Sequence, residues 1–129
     1  MLTVRIYSFS YIYNGIPEDT TPNGGGFVFD CRYIYNPGKK DEFKNLTGKD
    51  KAVIKFLDEN SDMQNMLNDI FDIIDSAVKI YFERNFTNLM VSFGCTGGQH
   101  RSVYSAEKLN AYLTKKYPNI KIELTHINI

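Results

Sequence analysis

Residues 88 to 105 constrain the fold more than any other stretch of the chain. An apolar run, Leu89 to Phe93, stops at Gly94. A loop of small and polar residues follows, and Ser102 to Tyr117 then repeats apolar positions at helical spacing. A strand, a glycine-rich turn and a helix N-terminus gather unpaired backbone N–H groups and the positive end of a helix dipole at one point. Gly97 and Gly98 can take positive φ and let the backbone approach a ligand. His100 and Arg101 add donors, and an arginine can pair bidentately with phosphate. The segment from Cys95 through Thr96 to Ser102 therefore predicts an anion site, with phosphate as the expected anion.

The other elements follow from periodicity and punctuation. Leu2, Val4 and Ile6 alternate with Thr3, Arg5 and Tyr7 as in a strand, and residues 14 to 26 are loop by their prolines and glycines. A second strand, Phe27 to Ile34, ends at the turn signal Asn36-Pro37-Gly38. A short helix is expected at about Asp50 to Glu59. A long one capped by Ser61 or Asp62 carries a stripe from Met66 to Phe82 at three- and four-residue steps, and Asn85 closes it. Pro118-Asn119 breaks the last helix before a strand from Ile120 to Ile127. Strands alternating with helices predict one α/β domain over residues 1–129, with a mostly parallel sheet covered by helices on both faces. Ligands of such sheets sit beyond the carboxyl ends of the strands, where the Gly94 loop and Asn36 both fall.

Composition removes several function classes. Fifteen basic and fifteen acidic residues cancel, so no overall field recruits a polyanion. The lysines between Lys39 and Lys55 are interrupted by Asp41, Glu42 and Asp50, as on a solvated face. The two cysteines, Cys31 and Cys95, are no disulfide framework and suit a reduced compartment. No run approaches the roughly 18 to 20 apolar residues that span a bilayer, and no signal-peptide core is present, so a soluble cytoplasmic protein is expected. Gly48-Lys49 lacks the remainder of a Walker A loop. No cofactor or metal is expected.

Cys95 to Ser102 also reads Cys, five residues, Arg, Ser, the spacing of a cysteine-dependent phosphatase loop. A thiol at a helix N-terminus beside His100 and Arg101 would be activated as a nucleophile. Gly94 stands where such loops carry a histidine, however, and no general-acid aspartate offers itself. The competing reading packs the sulfur inward as a small hydrophobe. A cation at Arg101 opposes the helix dipole and so calls for an anionic partner. Asp30 and Arg32, charged within an apolar strand, either pair with each other or meet a ligand. His126 reads as an ordinary strand residue.

The ordered motifs SFSYIYNGIP, FVFDCRYIYNP, LTGKDKAV and FGCTGGQHRSVYSAEKL resemble, nearly end to end, the C-terminal domain of the RapZ RNase-adapter family of nucleotide-binding proteins. The resemblance implies an α/β fold likened to part of phosphofructokinase, binding of glucosamine-6-phosphate and a small regulatory RNA, and self-association. It would place the phosphate on Thr96, Gly97, Gly98, His100 and Arg101, with help from Asp30 and Arg32. The family's N-terminal nucleotide-binding domain has no counterpart in these residues, so ATP or GTP binding is not carried over. Gly38 replaces a family histidine tied to sugar-phosphate sensing, and the ending ELTHINI lacks the basic family tail. The expected function is a regulatory domain binding a phosphorylated small molecule, with no membrane partner. Two classes remain open: an RNA-binding adapter module and a Cys95-dependent phosphatase.

Overall fold

The computed structural model describes residues 1–129. Four strands, β1 (Thr3–Ser10), β2 (Gly26–Asp30), β3 (Asn88–Cys95) and β4 (Lys121–His126), form one parallel sheet in the order β2-β3-β1-β4. The helices are α1 (Lys51–Asp58), α2 (Ser61–Glu83) and α3 (Arg101–Lys116). No helix is long and apolar enough to cross a membrane. The parallel α/β architecture is the expected one.

Pairing registers set one face of the sheet. Val4 and Ile6 lie beside Leu89 and Val91 on one side and Ile122 and Leu124 on the other, with Phe27 beyond Val91. These side chains join Val53 and Leu57 of α1, Met63, Ile70 and Ile74 of α2, and Leu109 and Leu113 of α3 in a single core. All three helices thus pack on the same face, which corrects the expectation of helices on both. The reason is the order of the strands. The connections after β2 and β3 step across the sheet in one direction, and right-handed crossovers then put both on one side. The step from β1 to β2 runs the other way and is made by residues 11–25 without a helix.

That segment is held by charge. Arg5, on the far face of β1, pairs with Asp19 at 2.6 Å, and Asp19 also accepts from the Thr21 backbone and hydroxyl at 2.9 and 2.8 Å. The Asp19 side chain is only 2% exposed. Burial alone would raise its carboxyl, but the hydrogen bonds from Thr21 and Arg5 hold it below its ordinary value.

Element ends differ from the sequence pattern for local reasons. Strand β2 stops at Asp30, not Ile34, because the Asp30 carboxylate accepts from the Arg32 backbone at 2.9 Å and turns the chain out of the sheet. Helix α2 is capped by Asn60, whose side chain accepts from Met63 N at 2.9 Å, one position before Ser61 and two before Asp62, the expected caps. Asn85 closes that helix as expected, at φ 58°, with Phe86 N bonded to Tyr81 O and the two rings edge to face at 5.0 Å.

Removing the buried charge should expose the weight of the Arg5–Asp19 pair. Asp19→Asn is expected to lower unfolding free energy by about 3 kcal/mol in urea titration. Because Asp19 is lowered in the fold, its stabilisation is complete above the unfolded value near 4 and disappears as pH falls through the folded value. Wild type should therefore lose more stability than the variant on acidification from about pH 5 to pH 2.

Candidate functional site: a cationic cleft between two strand ends

The loop after β3 and the chain after β2 rise side by side at the carboxyl edge of the sheet, since Asp30 pairs with Gly94 and Cys31 N bonds Gly94 O at 2.8 Å. Between them lies a cleft of ≈ 340 Å³ lined by Arg32, Tyr33, Ile34, Tyr35, Asn36, Lys39, Thr96 and Arg101. No carboxylate lines it.

Arg101, the first residue of α3, is 3% exposed. Its Nη1 donates to the carbonyls of Arg32 and Ile34 at 2.8 and 2.7 Å, while Nη2 reaches Thr96 Oγ1 only at 3.4 Å. Its Nε is buried and has no acceptor. The guanidinium therefore joins the two walls of the cleft and keeps donor capacity unmet. Arg32 is held by Asp30 through Nε and Nη2, at 2.7 to 3.1 Å, and lies over the Tyr11 ring at 3.9 Å. The hydrogen bonds from Arg32 hold the Asp30 carboxyl below its ordinary value against burial, and Arg101 acts in the same sense. Asn36 caps a short 3-10 turn, Pro37–Lys39, by accepting from Gly38 N at 2.9 Å.

From Thr96 through Val103, no backbone N–H donates to a protein acceptor. The 16-residue helix α3 begins within this stretch and adds its dipole. Gly98 is at φ 66°, and a side chain there would strike Ser10 N and Asn128; Gly97, also named as a candidate for positive φ, does not adopt it. The loop is stitched to residues 43–48. Gln99 Nε2 donates to the carbonyls of Lys44 and Leu46 at 2.8 and 2.7 Å, and Gly48 N donates to Gln99 O at 2.9 Å. His100 Nε2 lies 2.8 Å from Phe43 O, and since a carbonyl only accepts, that nitrogen carries the proton.

Arg32, Asn36, Thr96 and Arg101 of the expected site thus meet in one cleft. Asp30 stands behind Arg32 as its partner, and His100 braces the loop from below. Gly97 and Gly98 belong to the loop without lining the cleft. Cys95 is 2% exposed, belongs to the core, and its thiol donates to Ser102 Oγ at 3.1 Å; both side chains point away from the cleft's lining. The sulfur is thus placed as a packed wall of the loop. Cys31 is also in the core, and burial pushes its thiol up to about 12. Sequence reasoning missed Tyr33, Ile34 and Tyr35, between the Asp30 turn and the Pro37 turn, and Lys39, the last residue of that second turn. Their only signal was proximity to Asn36, and Lys39 was grouped with a solvated lysine face.

A second polar cluster lies nearby. Ser8 Oγ is 2.6 Å from His126 Nδ1, and His126 Nε2 donates to Glu107 at 2.7 Å. Ser8 is fully buried in the sheet, so this chain acts as a strut between β1, β4 and α3 and offers no accessible nucleophile. His126 is thereby more than an ordinary strand residue.

The family model described as the RapZ C-terminal domain matches residues 2–129. The chain belongs to the RapZ C-terminal domain family. A nucleotide-binding protein of Endomicrobium trichonymphae is 37% identical over 129 residues, covering 99% of this chain and 42% of that protein. One from Nitrosomonas eutropha is 44% identical over 108 residues, 84% of this chain and 35% of its own length. One from Fervidobacterium nodosum is 37% identical over 127 residues, 98% of this chain and 42% of its own. The chain therefore spans about two fifths of the length of the relatives it resembles.

The stitching makes a sharp contrast between two glycines. A methyl group on Gly48 would stand 2.4 Å from both His100 O and Tyr104 N, whereas one on Gly97 meets nothing within 4 Å. Gly48→Ala should cost about 2 kcal/mol of stability, and Gly97→Ala less than about 0.5 kcal/mol, both read from denaturant midpoints.

Proposed function

We propose that this domain binds a phosphorylated small molecule, an amino-sugar phosphate such as glucosamine-6-phosphate, in the cleft between residues 32–39 and 96–101, and that its role is sensing or regulation rather than catalysis. The observation that carries the reading is the cleft's charge: in a chain of net charge zero, Arg32, Lys39 and Arg101 line it and no carboxylate does. The unpaired amides from Thr96 onward and the start of α3 add backbone donors of the kind that hold phosphate. The sensing role is inferred from the family resemblance, and the packed position of the Cys95 sulfur supports binding over thiolate attack. The relatives are named nucleotide-binding proteins as wholes, and this chain spans about two fifths of their length, so that name is not transferred to it.

Calorimetric titration with glucosamine-6-phosphate, inorganic phosphate and sulfate tests the site. Arg101→Gln should weaken all three at least about tenfold, a loss of about 1.4 kcal/mol of binding free energy. Because Arg101 also ties the two walls together, Thr96→Val serves as a second probe at an exposed rim position. Cys95→Ser should leave binding unchanged. Ligand affinity indifferent to both Arg101 and Thr96 would remove the cleft from consideration. Binding of RNA with a steep salt dependence, and none of small phosphates, would favour the adapter reading instead.

A further inference from the structure

Resting on the phosphate-site reading, the pairing of charges around the cleft specifies which phosphate it takes. Arg32 is already matched by Asp30 in a two-pronged ion pair. Arg101 is bonded only to carbonyls and, weakly, to Thr96, so its charge has no carboxylate partner. The Lys39 ammonium makes no hydrogen bond and no ion pair, although its backbone N–H donates to Asn36 O within the turn. Its charged neighbours along the chain are otherwise placed: Lys40 lies over the Phe56 ring, and Lys44 meets Asp41 at 3.5 Å. Two positive charges are thus left without an ion-pair partner at the cleft, one buried at its back and one exposed at its rim.

We infer that Lys39 is a specificity-determining residue, and that with Arg101 it makes the cleft select a doubly charged phosphomonoester over a singly charged phosphodiester. A monoester that has lost both protons matches the two free cations, and the unpaired N–H of Thr96 at the cleft wall donates to one of its remaining oxygens. A diester brings one charge and leaves a cation unmatched. The buried Arg101 Nε without an acceptor is a separate sign that the protein alone does not complete this cluster. The lysine's position as the last residue of the Pro37–Lys39 turn is what brings it to the rim, since Asn36 fixes that turn through Gly38 N.

The test compares three anions on the full chain: glucosamine-6-phosphate, dimethyl phosphate and sulfate, titrated calorimetrically at pH 5 and pH 7. A phosphomonoester has its second pKa near 6, so only about a tenth is doubly charged at pH 5, and its binding should be about tenfold weaker there. Sulfate keeps two charges throughout. It therefore reports titration of the protein alone. The charged groups that line the cleft with Lys39 are Arg101 and Arg32, the latter paired with Asp30, while Lys40, Asp41 and Glu42 follow it in the chain. Dimethyl phosphate should bind at least about tenfold more weakly than the sugar phosphate at pH 7, and Lys39→Gln should shrink that ratio to about threefold or less. Sugar-phosphate binding that depends on Arg101 or Thr96, yet shows the same monoester preference in Lys39→Gln, would overturn the assignment to Lys39 while leaving the phosphate site standing. Absence of binding by all three anions would overturn both.

Discussion

One buried guanidinium organises the upper part of this domain. Arg101 begins α3, yet its Nη1 is bonded to carbonyls on a turn 67 and 69 residues away in sequence. Two strand ends that are neighbours in the sheet are thereby tied again above it, and the space left between them is the cleft. A lysine could not serve equally, because its compact ammonium lacks the planar fork that grips two carbonyls while other donors remain. The pattern C-T-G-G-Q-H-R-S then reads as a set of structural obligations. Cysteine and serine fill the core, the second glycine turns the chain, glutamine and histidine stitch the loop to residues 43–48, and arginine spans the gap.

The helix-face core explains how so small a domain holds its site rigid. Every helix contributes to one cluster, and α2 and α3 are joined at the far end by Asp75, which accepts from Tyr117 at 2.7 Å and from Lys116 at 2.9 Å. Tyr104, one turn into α3, donates to Asp58 at 2.5 Å and accepts from Gln64 at 2.9 Å, fixing α1 and α2 against the same helix. Helix α3 is therefore clamped along its length, and its N-terminus presents the loop at a defined height. The opposite face depends instead on the Arg5–Asp19 pair.

Much of this was legible in the sequence because it is written in local periodicity. The strand-loop-helix around Gly94 and the long stripe of α2 are patterns of period and punctuation. The Asn85 closure also showed, since an asparagine tolerates the left-handed conformation. The layering was not legible, because it depends on the spatial order of strands, which no single segment encodes. The early end of β2 turned on one side chain, Asp30, competing for a backbone N–H. At the site, Thr96 and Arg101 announced themselves through the loop, and Arg32 and Asn36 through their place beyond a strand. Lys39 did not, because a lysine among lysines carries no sign of the wall it will face.

The tie between Arg101 and the carbonyls of Arg32 and Ile34 has a consequence for how such a domain could signal. The cleft is braced by the protein's own bonds, so an anion entering it need not gather loose segments or pull a lid shut. An anion bound there as proposed would change the potential most, since a positive hollow on a neutral body would lose its charge. A partner reading that surface would sense occupancy through electrostatics across an almost unmoving backbone, with a response that fades as salt screens it.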